Sequence, residues 1–255
     1  MRNWIYFAMT LLVVFSLSCD NDDEVSKASF PVNFNFRPEV NGLQLELNNL
    51  LYENEAGNTF SVEKLQYLIS DVSLTMKDGS TIDLEGYHFV DVTDPSTGTY
   101  DKGFTIEEGD YTGISFVFGF RDEDNITGAY PDLNALSWSW PEMLGGGYHF
   151  MKLEGRFIDT NTNTATYATH MGTAREMTPS GNVMHSNFLE VDLEHSFTIN
   201  GPVTIGIIME ISHWYSNPHT WDLNLLNHTI MPNFEAQTML RANGHNVFSV
   251  DGVIQ

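Results

Sequence analysis

The chain has 255 residues, of which 34 are acidic and 11 basic, so its formal net charge is −23. Binding to nucleic acid requires a basic surface, and this charge therefore excludes a nucleic-acid binder. Aromatic residues make up 13% of the chain, which excludes a disordered protein, and the length suits one large all-β domain or two smaller ones.

The first segment has the pattern of a secretory signal. Arg2 precedes an apolar run over residues 4–17 that is short for a membrane span, and Ser18 and Cys19 follow it. Cys19, the single cysteine of the sequence, stands where the signal of a bacterial lipoprotein ends. We therefore predict a signal peptide over residues 1–18 and a lipid on Cys19. A plain secretory signal with an incidental cysteine is the alternative.

An acidic run over residues 20–24 follows the cysteine directly. Like charges in such a run keep it solvated and extended, so we predict that residues 19–28 are a tether. The tether resembles the acidic export tag of surface lipoproteins in Bacteroidetes-type bacteria, which implies an outer-membrane lipoprotein on the periplasmic or cell-surface side. A lipid on Cys19 leaves the domain without a thiol, which excludes disulfides, zinc ribbons and iron–sulfur clusters.

The remaining chain has the alternation of half-buried strands. Residues 30–36 (FPVNFNF) alternate apolar and polar side chains, whereas helical periodicity occurs only over 233–242, where Asn243-Gly244 ends it. We predict one all-β domain over residues 29–255, an antiparallel β-sandwich or barrel with a short C-terminal helix. The predicted strands are 30–36, 43–47, 64–76, 80–91, 113–120, 147–158, 164–170, 187–199 and 203–212.

Histidine, methionine and tryptophan are the residue types that could bind a metal here. Imidazole suits copper, zinc, iron and nickel, and thioether sulfur selects mainly copper(I). In a strand over 147–158, His149 and Met151 would lie on one face and could bind one ion, although a core methionine beside a hydrogen-bonded histidine is commoner. Trp138 and Trp140 would share a face of an extended segment, as part of the core or as a stacking platform for sugar rings.

Two further site classes are considered. Asp122-Glu123-Asp124-Asn125 offers hard oxygen ligands for calcium but lacks the spacing of an EF-hand, so a solvated turn is favoured and calcium is the alternative. No nucleophile-elbow, zinc-protease, P-loop or dinucleotide motif occurs in its required context. Without an activated nucleophile or an assigned acid–base pair, we expect a binding protein rather than an enzyme.

Several motifs, taken in order along the chain, resemble the MbnP-like copper-binding proteins. These proteins are relatives of the copper-repressible surface proteins of methane oxidisers. The similarity extends over most of the chain after residue 28, and its specificity lies in the order and spacing of motifs that are individually short. The motifs are 65–70 (LQYLIS), Trp138-x-Trp140, 147–155 (GYHFMKLEG), His170-x-Gly172 and 214–218 (WYSNP).

The resemblance implies a compact β-rich fold with one copper ion. In the better known members, two histidines and a tryptophan oxidised to kynurenine hold copper(I), and a di-haem partner of the peroxidase type is associated with that oxidation. Carried over by position, Trp138 or Trp140 is the modifiable tryptophan and His170 is one ligand. Trp140 stands where some members have a histidine, so His149 is the nearest second ligand.

Three hypotheses follow. The first is a lipid-anchored, extracytoplasmic protein that captures and holds copper, expected as copper(I), through His149, His170 and Trp138 or Trp140. The second is a surface module that binds glycans or protein through the two tryptophans. The third is a member of the same family that keeps the fold and has lost the metal.

Overall fold

A computed structural model describes residues 27–255 of the chain. The predicted signal peptide, Cys19 and the acidic run 20–24 lie outside these residues and stay predictions. Among the described residues, no helix has both the length and the apolar composition that a bilayer span needs.

Strands are the main elements of residues 27–255, which also contain three short 3-10 helices and two α-helices. The α-helices are α1 (Pro131–Ala135) and α2 (Phe234–Gly244). The strands are β1 (Ser29–Val40), β2 (Leu43–Gln44), β3 (Tyr52–Glu53), β4 (Thr59–Phe60), β5 (Lys64–Met76), β6 (Thr81–Asp91), β7 (Thr99–Tyr100), β8 (Thr105–Glu107), β9 (Gly109–Phe118), β10 (Met151–Ile158), β11 (Thr164–Met171), β12 (Ala174–Thr178), β13 (Gly181–His185), β14 (Leu189–Ile199), β15 (Val203–Glu210) and β16 (Phe248–Ile254).

Two large sheets face each other, and a separate hairpin is formed by β12 and β13. The first sheet has the order β16-β15-β1-β2, with β7 and β8 also paired to β1. The second has the order β14-β9-β5-β10-β4-β3, with β6 paired to β5 and β11 to β10. This architecture confirms the predicted all-β sandwich, although one pair, β1 with β15, runs parallel.

The main core lies between the sheets and is filled from alternate positions of each strand. In β1, Val32, Phe34 and Phe36 are buried while the residues between them are more open, as the sequence pattern predicts. Alternation of this kind directs every second side chain to the same face of a sheet. The side chains at the other positions of the second sheet point to its outer face, where some of them pack against other parts of the chain.

Strand β5 changes its partner at Leu68, in the middle of one edge. Residues 64–67 of this strand pair with β10, whereas residues from Ile69 onward pair with β9 along the same edge. At this point, the N–H of Leu68 donates to the carbonyl of Phe150 at 3.0 Å, and the carbonyl of Leu68 accepts from Gly119 at 2.9 Å. Both backbone groups of Leu68 are thus hydrogen-bonded at the point where the two partner strands separate. The chain between β9 and β10 is a long connection that leaves the sheet.

The connection over residues 119–150 builds a second, smaller core on the outer face of this sheet. Helix α1 begins at Pro131, whose fixed φ suits the first turn of a helix. The buried side chains of this core are Leu68, Phe120, Leu133, Trp138 and Tyr148.

The structure confirms the helix predicted over residues 233–242, and the ends of α2 differ from that prediction by no more than two residues. Asn233 caps α2 by accepting from the N–H of Ala236 at 3.1 Å. The elements that were not predicted from the sequence are α1, the β12–β13 hairpin, the final strand β16 and the short strands β3, β4, β7 and β8. The predicted strand 147–158 begins only at Met151, and this shift changes which residues share a face.

Candidate metal centre

Trp138 and His149 are brought together by a short stretch of antiparallel pairing before β10. Ser139 forms a bridge with Tyr148, the N–H of Trp140 donates to the carbonyl of Gly147 at 2.9 Å, and the N–H of His149 donates to the carbonyl of Trp138 at 2.9 Å. The chain reverses between these segments through Gly145, Gly146 and Gly147, all with positive φ. At Gly147 a Cβ would lie 2.4 Å from Asn125, so this turn requires glycine.

Four predicted site residues form one cluster, which we name the His–Trp cluster: Trp138, Trp140, His149 and His170. The His149 ring lies 5.5 Å from Trp138, 4.9 Å from Trp140 and 5.3 Å from His170, measured between ring centroids. His149 is only 6% exposed, and the side chain of His170 is 17% exposed. The fold therefore brings together four residues that belong to three separate motifs of the sequence.

His149 is held as a neutral ring. Burial, reinforced by the positive charge of Lys152, lowers the pKa of His149 to about 3. Its Nδ1 lies 2.9 Å from the carbonyl oxygen of Trp138. Because a carbonyl only accepts, the proton is on Nδ1 and the lone pair is on Nε2. A neutral imidazole with a free lone pair is the form that binds a metal.

His170 is oriented by a carboxylate. Its Nε2 lies 2.8 Å from Oε1 of Glu154, and Glu154 also forms an ion pair with Lys64 at 3.2 Å. The hydrogen bond from His170 is the largest contribution to a lowered pKa of Glu154, at about 2. The carboxylate is thus an acceptor, so Nε2 of His170 carries a proton and Nδ1 is the remaining nitrogen.

The backbone of His170 is fixed by helix α2. Gln237, which is fully buried, donates from Nε2 to the carbonyl of His170 at 2.8 Å. Its Oε1 accepts from the N–H of Gly172 at 3.3 Å and from Asn187 at 3.0 Å. Gly172 in turn lies against Trp140, since a Cβ at that position would be 2.6 Å from the indole ring.

The structure does not bring His149 and Met151 to one ion, and it shows the commoner arrangement of a core methionine beside a hydrogen-bonded histidine. His149 precedes the first residue of β10, and its ring lies on the outer face beside His170. Met151 and Met171 are register partners, and both are fully buried in the main core. Because neighbouring residues of a strand point to opposite faces, Met171 faces away from His170. Neither thioether belongs to the His–Trp cluster.

The tryptophans do not form an open platform. Trp138 and Trp140 are 0% and 1% exposed, so neither indole face is available to a sugar ring. Trp140 donates from Nε1 to the carbonyl of Leu144 at 3.2 Å. Nε1 of Trp138 is buried without a hydrogen-bond partner in the described residues, at a cost of about 1–3 kcal/mol. This unpaired donor is a polar atom of the cluster that packing alone does not explain.

The acidic segment 122–125 is integrated into the protein surface. Asp122 accepts a hydrogen bond from Ser186, and Oδ1 of Asn125 accepts from the N–H of Tyr148 at 2.8 Å. Within residues 27–255, no three His, Cys, Asp or Glu side chains approach closely enough to hold a metal together. The structure gives calcium binding at this segment no support.

The His–Trp cluster nevertheless fits a soft, low-coordinate ion. Its donor set is two imidazole nitrogens flanked by two indoles, with no thiolate, and one nitrogen of each imidazole has no partner among the described residues. Copper(I) accepts imidazole and tolerates few ligands, whereas zinc usually takes four. His149, His170 and either tryptophan are the residues that would hold such an ion.

Three residues that contact the cluster were missed by sequence reasoning: Lys152, Glu154 and Gln237. Lys152 and His170 are direct register partners, which places Lys152 and Glu154 on the face of β10 where His170 lies. Lys152 Nζ lies 4.7 Å from the ring centroid of Trp138, and burial lowers the pKa of this lysine. The motif over 147–155 contains two of these residues, but only the strand register shows that they face His170.

Comparison with known proteins agrees with these observations. A solved structure, MbnP from Methylosinus trichosporium, is similar to this chain with a TM-score of 0.53 and 15% identity, over 81% of this chain and 83% of that one. At this identity the similarity shows a shared fold. No curated protein sequence matches the chain. The MbnP family model matches residues 29–232, which is most of the sequence, and the chain therefore belongs to the MbnP family.

Proposed function

We propose that this protein binds copper as copper(I) between His149 and His170, with Trp138 and Trp140 beside the ion. The observation that carries the proposal is the 5.3 Å approach of two imidazoles, each of which uses one nitrogen to hold its ring and leaves the other free. Membership of the MbnP family supports copper as the metal.

The surroundings of the two rings favour retention of a soft ion. His149 is neutral far below neutral pH, so binding requires no loss of a proton from this ring. The buried indoles restrict water, and Glu154, the carboxylate that contacts His170, is already engaged by Lys64, which disfavours hard cations. Copper, when bound, supplies a redox-active centre held by nitrogen ligands.

We also propose that the role is to hold copper rather than to catalyse a reaction. No described side chain at the cluster is an activated nucleophile or half of an acid–base pair. The predicted signal and Cys19 support a lipid-anchored protein outside the cytoplasm. Oxidation of Trp138 or Trp140 to kynurenine, with a di-haem peroxidase-type partner as oxidant, is the part of the proposal that rests on the family resemblance alone.

Titration of the purified protein with copper(I) against a chromogenic competitor tests the proposal. We expect one submicromolar equivalent, and loss of that site in both His149→Ala and His170→Ala. His185→Ala is the matched control, since His185 also lies 2.8 Å from a glutamate, Glu176, but contacts neither tryptophan of the cluster. Equal affinity in wild type and His170→Ala contradicts the assignment.

Mass spectrometry of the peptide over 138–140, from protein purified from its native host, tests the oxidation separately. A mass matching kynurenine at one tryptophan supports the family-derived part of the proposal. Two unmodified tryptophans in copper-loaded protein would refute that part and leave the two-histidine site standing.

A further inference from the structure

Lys152 is a fixed positive charge at the His–Trp cluster. Its Nζ lies 4.7 Å from the ring centroid of Trp138 and donates to the carbonyl of Ser137 at 3.1 Å. A cation over an indole and a carbonyl acceptor both stabilise the ammonium. The side chain is therefore held at the tryptophan rather than extended into solvent.

The same lysine is adjacent to the histidines. Lys152 and His170 are directly opposite each other in the antiparallel β10–β11 pair, where facing Cβ atoms are about 5 Å apart. Trp138, which the ammonium covers, contacts the ring of His149.

No nearby carboxylate is free to neutralise an incoming ion. Two acidic residues of this face, Glu154 and Asp91, are already engaged. The oxygens of Glu154 are held by His170 at 2.8 Å and by Lys64 at 3.2 Å, and those of Asp91 accept from Gln66 and Thr93, each at 2.6 Å. The charges of Lys64 and Glu154 offset each other in their ion pair, and the ammonium of Lys152 is the charge that lies against Trp138. A metal ion at the cluster is therefore repelled by a charge that is close and partly desolvated.

We infer that Lys152 determines selectivity for monovalent over divalent cations at the His149–His170 site. The inference rests on the proposed function, because it concerns the ion that these histidines hold. Repulsion by a fixed charge is twice as large for a divalent ion as for a monovalent ion at the same place. Neither imidazole brings a negative charge that would offset the larger repulsion, and the carboxylate of Glu154 is already engaged by His170 and Lys64.

Binding of silver(I) and zinc(II), two redox-inert probes, tests the inference by competition titration. Lys152→Met removes the charge and keeps the apolar chain, and we expect it to strengthen silver binding about 10-fold and zinc binding about 100-fold. The preference for silver over zinc thus falls about 10-fold. Lys152→Arg keeps the charge, and we expect it to keep the preference.

Lys77→Met is the control for net charge. Lys77 follows the far end of β5, about 35 Å along the strand from Gln66, the register partner of Lys152. An unchanged silver-to-zinc ratio in Lys152→Met, or an equal change in Lys77→Met, overturns the inference alone. If His149→Ala and His170→Ala both bind silver as tightly as the wild-type protein, the proposed function is overturned. The inference then falls with it.

A measurement on metal-free protein tests the geometry independently. The ring current of Trp138 shifts the ε-methylene protons of Lys152 upfield if the ammonium lies over the indole. We expect this shift in the wild-type NMR spectrum and its loss in Trp138→Leu. Random-coil positions for these protons in wild-type protein overturn the inference whatever the metal titrations show.

Discussion

His149 and His170 meet with ring centroids 5.3 Å apart and ring planes at 77°, although they come from different parts of the fold. His149 lies in the pairing that precedes β10, and His170 lies near the end of β11. One nitrogen of His149 is held by the carbonyl of Trp138, and one of His170 by Glu154. Both tautomers are thus set before an ion arrives, which reduces the ordering that binding requires.

Glu154 is expected to act as a positioning residue for His170. Glu154→Ala removes the acceptor for Nε2, and we expect copper(I) affinity to fall about 10- to 100-fold. Glu154→Gln keeps an acceptor oxygen and is expected to retain most of the affinity. Imidazole ¹⁵N NMR of the metal-free variants reports the tautomer directly.

Glu176→Ala is the matched control for that prediction, because it breaks a His–Glu pair of the same 2.8 Å length at His185. The positioning role is wrong if Glu154→Ala changes neither the tautomer of His170 nor the copper affinity, or if Glu176→Ala lowers the affinity equally.

Gln237 is expected to stabilise the protein through its hydrogen bonds to the segment that carries His170. Gln237→Leu leaves the carbonyl of His170, the N–H of Gly172 and the amide of Asn187 without this partner. We expect the free energy of unfolding to fall by about 2–4 kcal/mol in urea denaturation. Thr238→Ala, on the exposed side of the same helix, should change it by less than about 0.5 kcal/mol. Similar losses in the two variants would argue against the prediction.

Gly172 is expected to tolerate no side chain. In Gly172→Ala the new methyl lies 2.6 Å from the Trp140 ring, so the indole or the backbone must move. We expect a loss of about 1–3 kcal/mol in stability and a shift in tryptophan fluorescence. Gly252→Ala is the control, since no atom lies within 4 Å of a Cβ at that strand position. A wild-type spectrum and stability in Gly172→Ala would show that Trp140 is loosely packed.

Glu210 is expected to make the fold sensitive to acid. Burial raises the pKa of this carboxylate, but hydrogen bonds from Ser212, Gly42 and Asn41 lower it more, so the folded pKa is below the ordinary 4.5. A lowered carboxylate pKa contributes stability that is fully present above the ordinary value and is lost as pH falls through the folded value. Denaturation at a series of pH values should show this loss below about pH 4.5, and a smaller loss in Glu210→Gln.

That prediction has a positional control. Glu190 is exposed on β14 and pairs with Arg121, so Glu190→Gln should leave the acid loss close to wild type. Identical acid profiles in wild type and Glu210→Gln would contradict the role of Glu210.

Cys19 is expected to decide membrane attachment. If Cys19 carries the lipid, Cys19→Ser abolishes incorporation of radiolabelled fatty acid and releases the protein from the membrane fraction. Ser18→Ala, at the neighbouring position, should retain the label. Wild-type protein that carries no label and is absent from the membrane fraction, like Cys19→Ser, would leave the plain secretory signal as the better interpretation.

Much of the fold was predictable because its causes are local. The alternation over 30–36 reflects burial of one face of β1, and the periodicity over 233–242 reflects a helix capped by Asn233. The predicted strand limits are wrong where the pairing changes, as at residues 147–149, which pair with the segment around Trp138 before β10 begins. A hydrophobic pattern shows that residues are extended, but it does not show which partner they pair with.

The sequence by itself determined the all-β class, the family and the identities of Trp138, Trp140, His149 and His170 as candidate ligands. Composition, alternation and motif order are properties of the chain alone. Only the tertiary structure decided that Met151 and Met171 face the core, that both tryptophans are buried, and that Lys152, Glu154 and Gln237 contact the cluster. The physical reason is strand register: a single-residue shift reverses every side chain of a strand, and long-range pairing sets the register.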